Sequence, residues 1–276
     1  MSNYDPDSVV RYFDDMGVGE FERFDSTPVQ RIKLELHFRC LRKYVPAGAR
    51  VLEIGAGPGR FTEALAELGC RVVVNDLSPL QLELNRQRAT ERGYASAVER
   101  WLLADMCDLS ALRGETFDAV VAFGGPLSYV LDRRDEALTE VLSVLRDRGA
   151  LLMSVMSLWG TAHAFLNAVL AQSVEDQAAV VRTGDLTPVT APESVHHCHM
   201  FRPDELVEFI TRHDLTVEHL AASNALTTRW DEELSGMDVT DEDWRRVLDF
   251  EEEATAAPGN IGMGTHMIAV ARRADA

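Results

Sequence analysis

The stretch Val51-Leu52-Glu53-Ile54-Gly55-Ala56-Gly57-Pro58-Gly59-Arg60-Phe61-Thr62 decides how this chain folds. Residues suited to a buried strand run into three glycines on alternate positions, and an amphipathic stretch follows through Leu68. Glycine turns sharply and lets a ligand lie against the peptide units, because no Cβ stands in the way. Doubly wound α/β sheets hold nucleotide-like ligands at such a turn, at the carboxyl end of the first strand. The run therefore predicts strand, tight turn and helix, with Gly55, Ala56, Gly57 and Gly59 against an adenosine-containing cofactor.

The cofactor is read from departures from the dinucleotide fingerprint G-x-G-x-x-G. Gly55 and Gly57 fit it, but Arg60 stands at the third position and the glycine comes one residue early, at Gly59. Glu53 sits at the end of the strand, where a carboxylate would repel a pyrophosphate and suits a ligand carrying an ammonium group. This E-x-G-x-G-x-G form resembles motif I of class I S-adenosylmethionine-dependent methyltransferases.

Further along, Arg71-Val72-Val73-Val74-Asn75-Asp76 is a β-branched strand ending in an acid suited to ribose hydroxyls. Ser78-Pro79 opens the next helix as cap and first position. A third strand near 98–104 ends in Asp105-Met106. The resemblance implies that Asp76, with Leu77 beside it, holds the ribose, and that Asp105 and Met106 receive the adenine. Phe117 to Phe123 is a fourth strand, and its Gly124-Gly125-Pro126 turn resembles motif IV, which faces the methionine end of the cofactor and the acceptor. By that resemblance Phe123 and Gly124 join the cofactor site. A helix from about Arg134 to Leu145 and a turn at 146–149 lead to a strand over Ala150 to Met156, similar to the family's L-R-P-G-G-x-L segment. Phe201 to Leu206 opens a helix, Leu215 to Leu220 is a strand, and Gly264 to Arg272 holds the last strand, which in the family enters antiparallel.

Strands alternating with helices predict an α/β fold, a mainly parallel sheet covered on both faces. The resemblance completes it as a Rossmann-like, seven-stranded sheet with an antiparallel last strand. Residues 1–48 are expected to form an N-terminal helical lid and residues 49–276 the methyltransferase domain. An insertion after strand five, 157–200, would shape the acceptor pocket, because loops at the carboxyl ends of strands surround the ligand.

Composition narrows the acceptor. The formal charge is −18, from 45 acids against 27 basic residues, which disfavours non-specific attraction to nucleic acid. Residues 231–253 hold eleven acids and two arginines and read as a solvated acidic helix. The four cysteines are scattered, without the spacing of a zinc site or redox dithiol, and no metal is expected. No apolar run reaches membrane-span length, and the polar start Met1-Ser2-Asn3-Tyr4-Asp5 is no signal peptide. The expectation is a cytoplasmic protein acting on a small molecule, with no nucleic-acid or membrane partner. A homodimer is compatible with the sequence but not readable from it.

Around the acceptor, Tyr12 and Phe24 suit a lid or simple packing equally. Trp159, His163 and the cluster His196-His197-Cys198-His199 fall in the insertion. Extended chain would put His197 and His199 on one face. Tyr12, Phe24, Tyr129, Trp159, His163 and His197 are the candidate acceptor contacts. Tyr129 and His199 are candidates to orient or deprotonate the acceptor, against the plainer reading of Tyr129 as pocket wall. The resemblance implies in-line displacement of the methyl group from S-adenosylmethionine, releasing S-adenosylhomocysteine. No Asn-Pro-Pro-aromatic signature follows the fourth strand, which favours a small molecule, with an aromatic or natural-product acceptor such as an indole or phenol fitting the candidate aromatics. Two alternatives stay open: an NAD(P)-dependent oxidoreductase, which lacks its third glycine, and a protein that binds S-adenosylmethionine without methyl transfer.

Overall fold

A computed structural model describes residues 2–192, 194 and 196–273. Met1, Glu193, Val195 and residues 274–276, which the expected lid, insertion and catalytic domain include, lie outside the described residues. The chain opens with helices α1 (Pro6–Met16), α2 (Gly19–Glu22) and α3 (Pro28–Tyr44). Then come β1 (Arg50–Ile54), α4 (Arg60–Glu67), β2 (Arg71–Asp76), α5 (Pro79–Glu91), β3 (Val98–Leu103) and β4 (Phe117–Ala122). After α6 (Pro126–Tyr129) and α7 (Arg134–Val144) runs the long strand β5 (Leu145–Met156). The inserted segment forms α8 (Leu158–Ala164), α9 (Leu166–Ala171), α10 (Val174–Thr183) and the short pair β6 (Asp185–Leu186) and β7 (Cys198–His199). The chain finishes with α11 (Pro203–Thr211), β8 (Leu215–Ala222), α12 (Asp231–Leu234), α13 (Glu242–Ala256) and β9 (His266–Arg273).

Seven strands form one sheet in the order β3-β2-β1-β4-β5-β9-β8. The first five are parallel, and β9 enters antiparallel between β5 and β8. Side chains leave a strand alternately to its two faces, so apolar runs without alternation mark a sheet covered on both sides. Leu52, Val120 and Leu151 pack under α7 and α11, with Leu138, Val141, Phe209 and Ile210. Their neighbours Val51, Val121 and Leu152 pack under α3, α4 and α13, with Ile32, Leu41, Leu65 and Trp244. Burying each such side chain contributes about 1.5–3 kcal/mol.

Ser78 caps α5 as expected, its hydroxyl accepting from the Gln81 N–H at 3.0 Å. Two expectations need correction. The turn at 146–149 lies inside β5: Phe117 pairs with Leu145 and Ala119 with Ala150, so four residues bulge opposite Asp118 alone. Asp118 and Arg146 form an ion pair there, which favours the bulge over a clean turn. The acidic stretch is likewise more than a solvated helix. Trp244 and Leu248 of α13 enter the core, and the buried Glu251 accepts hydrogen bonds from the N–H and hydroxyl of Thr227 at 3.2 and 3.1 Å.

Candidate active site

All three glycines of the opening run take left-handed backbone angles, with φ of +63° at Gly55, +52° at Gly57 and +95° at Gly59. They bend the chain out of β1 and into α4 at the carboxyl edge of the sheet. A Cβ on Gly55 would stand 3.1 Å from the Pro126 Cβ, so the absence of a side chain lets the turns after β1 and β4 meet. Between them opens a cleft of about 860 Å³, partly open to solvent.

Nine of the expected cofactor residues line this cleft: Gly55, Ala56, Gly57, Asp76, Leu77, Asp105, Met106, Phe123 and Gly124. Two do not. Gly59 lies behind the loop, where a Cβ would come within 3.1 Å of Asn85 Nδ2 and Tyr94 Oη, so it serves the packing of α4 on α5. Glu53 is also behind the loop, buried, with Oε2 accepting from the Thr62 hydroxyl at 2.6 Å and Oε1 unpartnered. Burial pushes its carboxyl up to about 8. The expected contact of Glu53 with a ligand ammonium group is thus not direct: the side chain belongs to a buried network in which Asn85 Nδ2 donates to Thr62 Oγ1 and Trp101 Nε1 to Asn85 Oδ1.

Asp76 ends β2 facing the cleft. It accepts from the backbone N–H groups of Gly57 and Ser78, both at 2.8 Å, which orients its remaining lone pairs toward the open space. Burial pushes it up to about 6, against those bonds. Asp105 accepts from the Cys107 N–H at 2.8 Å and, on Oδ2, from the hydroxyl of Tyr4 at 2.9 Å. Tyr4 comes from ahead of α1, and no local pattern marks it as a site residue. Phe24, an expected acceptor contact, lines this cofactor cleft together with Phe13, Glu20, Arg23 and Phe61, four residues that sequence reasoning missed. Glu20 accepts from Arg23 Nε at 2.7 Å, and burial raises its carboxyl above the usual range. α1 is tied down by Gln81 Nε2, which donates to the Phe13 carbonyl at 2.7 Å, and α2 by Arg60, which donates to the Phe21 carbonyl at 2.7 Å.

A second cleft of about 500 Å³ adjoins the first and shares Val9 and Tyr129 with it. Tyr12, His196 and His197 are among its walls. Here the histidine expectation changes. The ring at Tyr129 is His196, whose Nε2 lies 2.6 Å from the phenol oxygen, with the Tyr12 ring 4.9 Å away. Burial pushes His196 down to about 4, so it is neutral at pH 7, and the tautomer it adopts sets the direction of its bond to the phenol. His199 faces elsewhere, buried, with Nδ1 2.7 Å from Asp185 and Nε2 2.8 Å from Glu205. Both its nitrogens are engaged, and it lines neither cleft. Trp159 and His163 are exposed on α8 and also line neither, so among the described residues the inserted segment reaches the clefts only through Pro188, His196 and His197.

Three more side chains gather where the turn after β4 meets the start of β9. A Cβ on Gly125 would lie 3.5 Å from His266 Nε2 and 3.6 Å from Tyr129 Cε2. Lys33 of α3 donates to Thr265 Oγ1 at 3.3 Å, and that oxygen lies 3.3 Å from His266 Nδ1. One helical turn from Lys33, the buried His37 packs its ring 4.8 Å from that of Phe123. Lys33 carries a detectable sequence signal, being one of only two lysines in the chain. The position of His266 carries none.

Comparison with known proteins agrees with this geometry. Residues 51–149 match a family described as Methyltransferase domain. A ubiquinone biosynthesis O-methyltransferase of Xanthomonas axonopodis pv. citri is 29% identical over 177 residues, covering 64% of this chain and 66% of that protein. Against the first curated relatives, the chain spans from about half to just under two thirds of their length. An S-adenosylmethionine-dependent methyltransferase from Methanosarcina mazei shares the fold with a TM-score of 0.58 at 18% identity, over 85% of this chain and 96% of that one. The 1,6-didemethyltoxoflavin-N1-methyltransferase of Burkholderia thailandensis, solved with its substrate and S-adenosylhomocysteine, aligns with a TM-score of 0.56 at 17% identity, over 97% and 88%. Residues 51–149 are thus similar to a methyltransferase domain, and the seven-stranded sheet they belong to is Rossmann-like.

Proposed function

We propose that this domain transfers the methyl group of S-adenosylmethionine to a small aromatic acceptor held beside Tyr129. The observation that carries the reading is the pair of adjoining clefts: one bears the glycine turn and the two acids, the other is walled by aromatic and imidazole rings, and Tyr129 borders both. The cofactor fits the first. Gly124 has open space where a Cβ would stand, and Gln81 brings a buried, unpartnered Oε1 to the cleft wall. Asp76 would hold the ribose hydroxyls, Asp105 and Met106 the adenine, and the glycine turn the chain between them. When bound, the cofactor supplies a methyl group on a sulfonium, a leaving group already activated.

The protein's own work is then alignment and exclusion of water. Tyr12, Phe13 and Tyr129 lie edge to face, with ring centroids 5.1 and 5.3 Å apart, and give a planar acceptor apolar walls. The Tyr129–His196 pair orients the acceptor's polar atom: a neutral imidazole fixes the phenol, whose own pKa burial raises above 10, so that it stays a hydroxyl. Residues 1–48 act as a lid, since Tyr4 of this segment reaches Asp105 and Phe24 lines the cleft.

Calorimetric titration with S-adenosylmethionine and S-adenosylhomocysteine, with NADH and NADPH as controls, tests the cofactor. Methyl transfer to a panel of phenols, catechols and indoles tests the reaction. Adenosyl ligands should bind and at least one ring should be methylated. Binding of a nicotinamide nucleotide alone would overturn the reading, and cofactor binding with no methylated acceptor would reduce it to a binding protein.

A further inference from the structure

The inserted helices carry a face that no other described residue covers. α9 buries none of its residues, although five of its six positions are apolar. Of the sixteen exposed large apolar side chains among the described residues, five fall between 159 and 174: Trp159, Phe165, Leu166, Leu170 and Val174. No Asp, Glu, Lys or Arg occurs from Ser157 to Val174, in a chain of formal charge −18. Single exposed apolar residues need no partner, but a cluster of them rimmed by charge marks an interaction surface. The next helix, α10, shows an exposed stripe of the same kind. Its Val180 packs inward, with Met156 and Leu158, and the opposite side presents Val174, Glu175, Ala178, Val181 and Arg182. These are spaced i, i+1, i+4, i+7 and i+8, one side of a helix. Gln177 Nε2 ties α10 to α9, donating to the carbonyls of Val169 and Gln172 at 2.9 and 3.2 Å. Neither the Glu175 carboxylate nor the Arg182 guanidinium has a partner among the described residues.

We propose that this face is the interface of a homodimer, in which two copies of α10 pack antiparallel about a two-fold axis beside Ala178 and α9 widens the contact. The stripe is complementary to itself. Reversed against its own copy, it sets Glu175 of one copy by Arg182 of the other, and the symmetry supplies the reciprocal pair. Val174 and Val181 then meet across the axis. Ala178 stands between them with a single methyl group, which lets the two helices approach closely. An apolar centre inside a charged rim is the anatomy of a protein interface. The extent fits as well: α8 to α10 runs from Leu158 to Thr183, and one side of a stable interface takes about 20–30 residues. Charge selects the occupant. Two chains of charge −18 repel each other except where neither presents an acid, and the face over 157–174 is such a place. A bilayer fits less well, because helices that lie on membranes flank their apolar side with Lys and Arg, and α8 and α9 contain neither.

Sedimentation velocity on the full chain, over a wide range of concentration, reads the association directly. The native protein should move to twice the mass of the chain as concentration rises. Ala178→Glu, at an exposed position where a helix accepts glutamate, should weaken the dimer at least about tenfold by burying an unpaired charge, and Leu170→Asp on α9 should do the same. Glu175→Lys should weaken it too, since two cations then meet. Adding Arg182→Glu to that variant should restore association, a rescue that a change in fold would not produce. An unchanged far-ultraviolet circular dichroism spectrum separates lost association from lost fold. A monomer at every concentration would overturn the proposal. So would a dimer that Ala178→Glu and Leu170→Asp leave intact, or a doubly reversed variant that stays as weak as Glu175→Lys alone. Flotation of the native protein with phosphatidylcholine vesicles, lost in Leu170→Asp, would assign the face to lipid and overturn it as well.

Discussion

Replacing Glu53 with glutamine should change how stability depends on pH, and by an amount the structure sets. The carboxyl is buried behind the glycine turn with one oxygen bonded to Thr62 and the other unpartnered. Burial is the main cause that lifts it to about 8, and the nearby charge of Asp76 adds to it, against the lowering by Thr62. A folded-state value above the unfolded one means that the folded chain keeps a proton the unfolded chain releases. Through the window from about 4.5 to 8 the native protein therefore loses stability as pH rises, and above it the loss is constant. At 1.36 kcal/mol per pH unit the full gap amounts to roughly 3–5 kcal/mol. The glutamine amide of Glu53→Gln cannot ionise, and its carbonyl still accepts from Thr62. Urea denaturation at intervals from pH 5 to 9 should show the variant gaining on the native protein by that amount up to about pH 8, then running parallel. His37 and His196, which burial holds near 4, titrate in both proteins and cancel in the difference. A difference that stays flat across the series would refute the buried, protonated state of Glu53.

Asp76→Ala removes the acid that the glycine turn orients, and affinity for S-adenosylhomocysteine should fall at least about tenfold in a folded variant by calorimetry; unchanged affinity would remove Asp76 from the site. Tyr129→Phe deletes the hydroxyl bonded to His196, and turnover of a methylated ring should slow while cofactor affinity stays within about twofold; equal loss in both would make it a structural wall. Gly160→Ala would place a Cβ 1.7 Å from the backbone oxygen of Gly264, so the packing of α8 against that segment must break. A destabilisation above about 3 kcal/mol is expected in denaturant melts, and a native-like midpoint would show that the two backbones are not in contact.

The sheet was legible because its cause is local. Val72-Val73-Val74 and Phe117 to Ala122 are runs that bury on both faces whatever surrounds them, and a glycine with positive φ announces its turn without help from the rest of the chain. Asp76 and Asp105 were readable for the same reason, the first as the last residue of β2 and the second two residues beyond the end of β3. The acceptor side was not. Period-two alternation could separate His196 from His197, but it could not say that Asp185 and Glu205 would engage His199. Trp159 and His163 looked like pocket residues because they are aromatic and fall in the right insertion, yet α8 turns them to solvent. Lys33 and Thr265 meet across 232 residues, a convergence fixed by tertiary packing, with no local pattern to carry it.

The antiparallel entry of β9 bears on how the molecule is assembled. This strand is synthesised after every other strand of the sheet, yet it occupies an interior position, pairing over its length with β5 on one side and β8 on the other. Until residues 266–273 emerge from the ribosome, both partner strands expose unpaired backbone edges, the feature that recruits foreign strands. Closure of the sheet is a contact of high sequence separation and must wait for translation to deliver it. Slow or interrupted synthesis ahead of β9 thus leaves a half-sheet with two open edges, and aggregation of nascent chains competes with folding at that step.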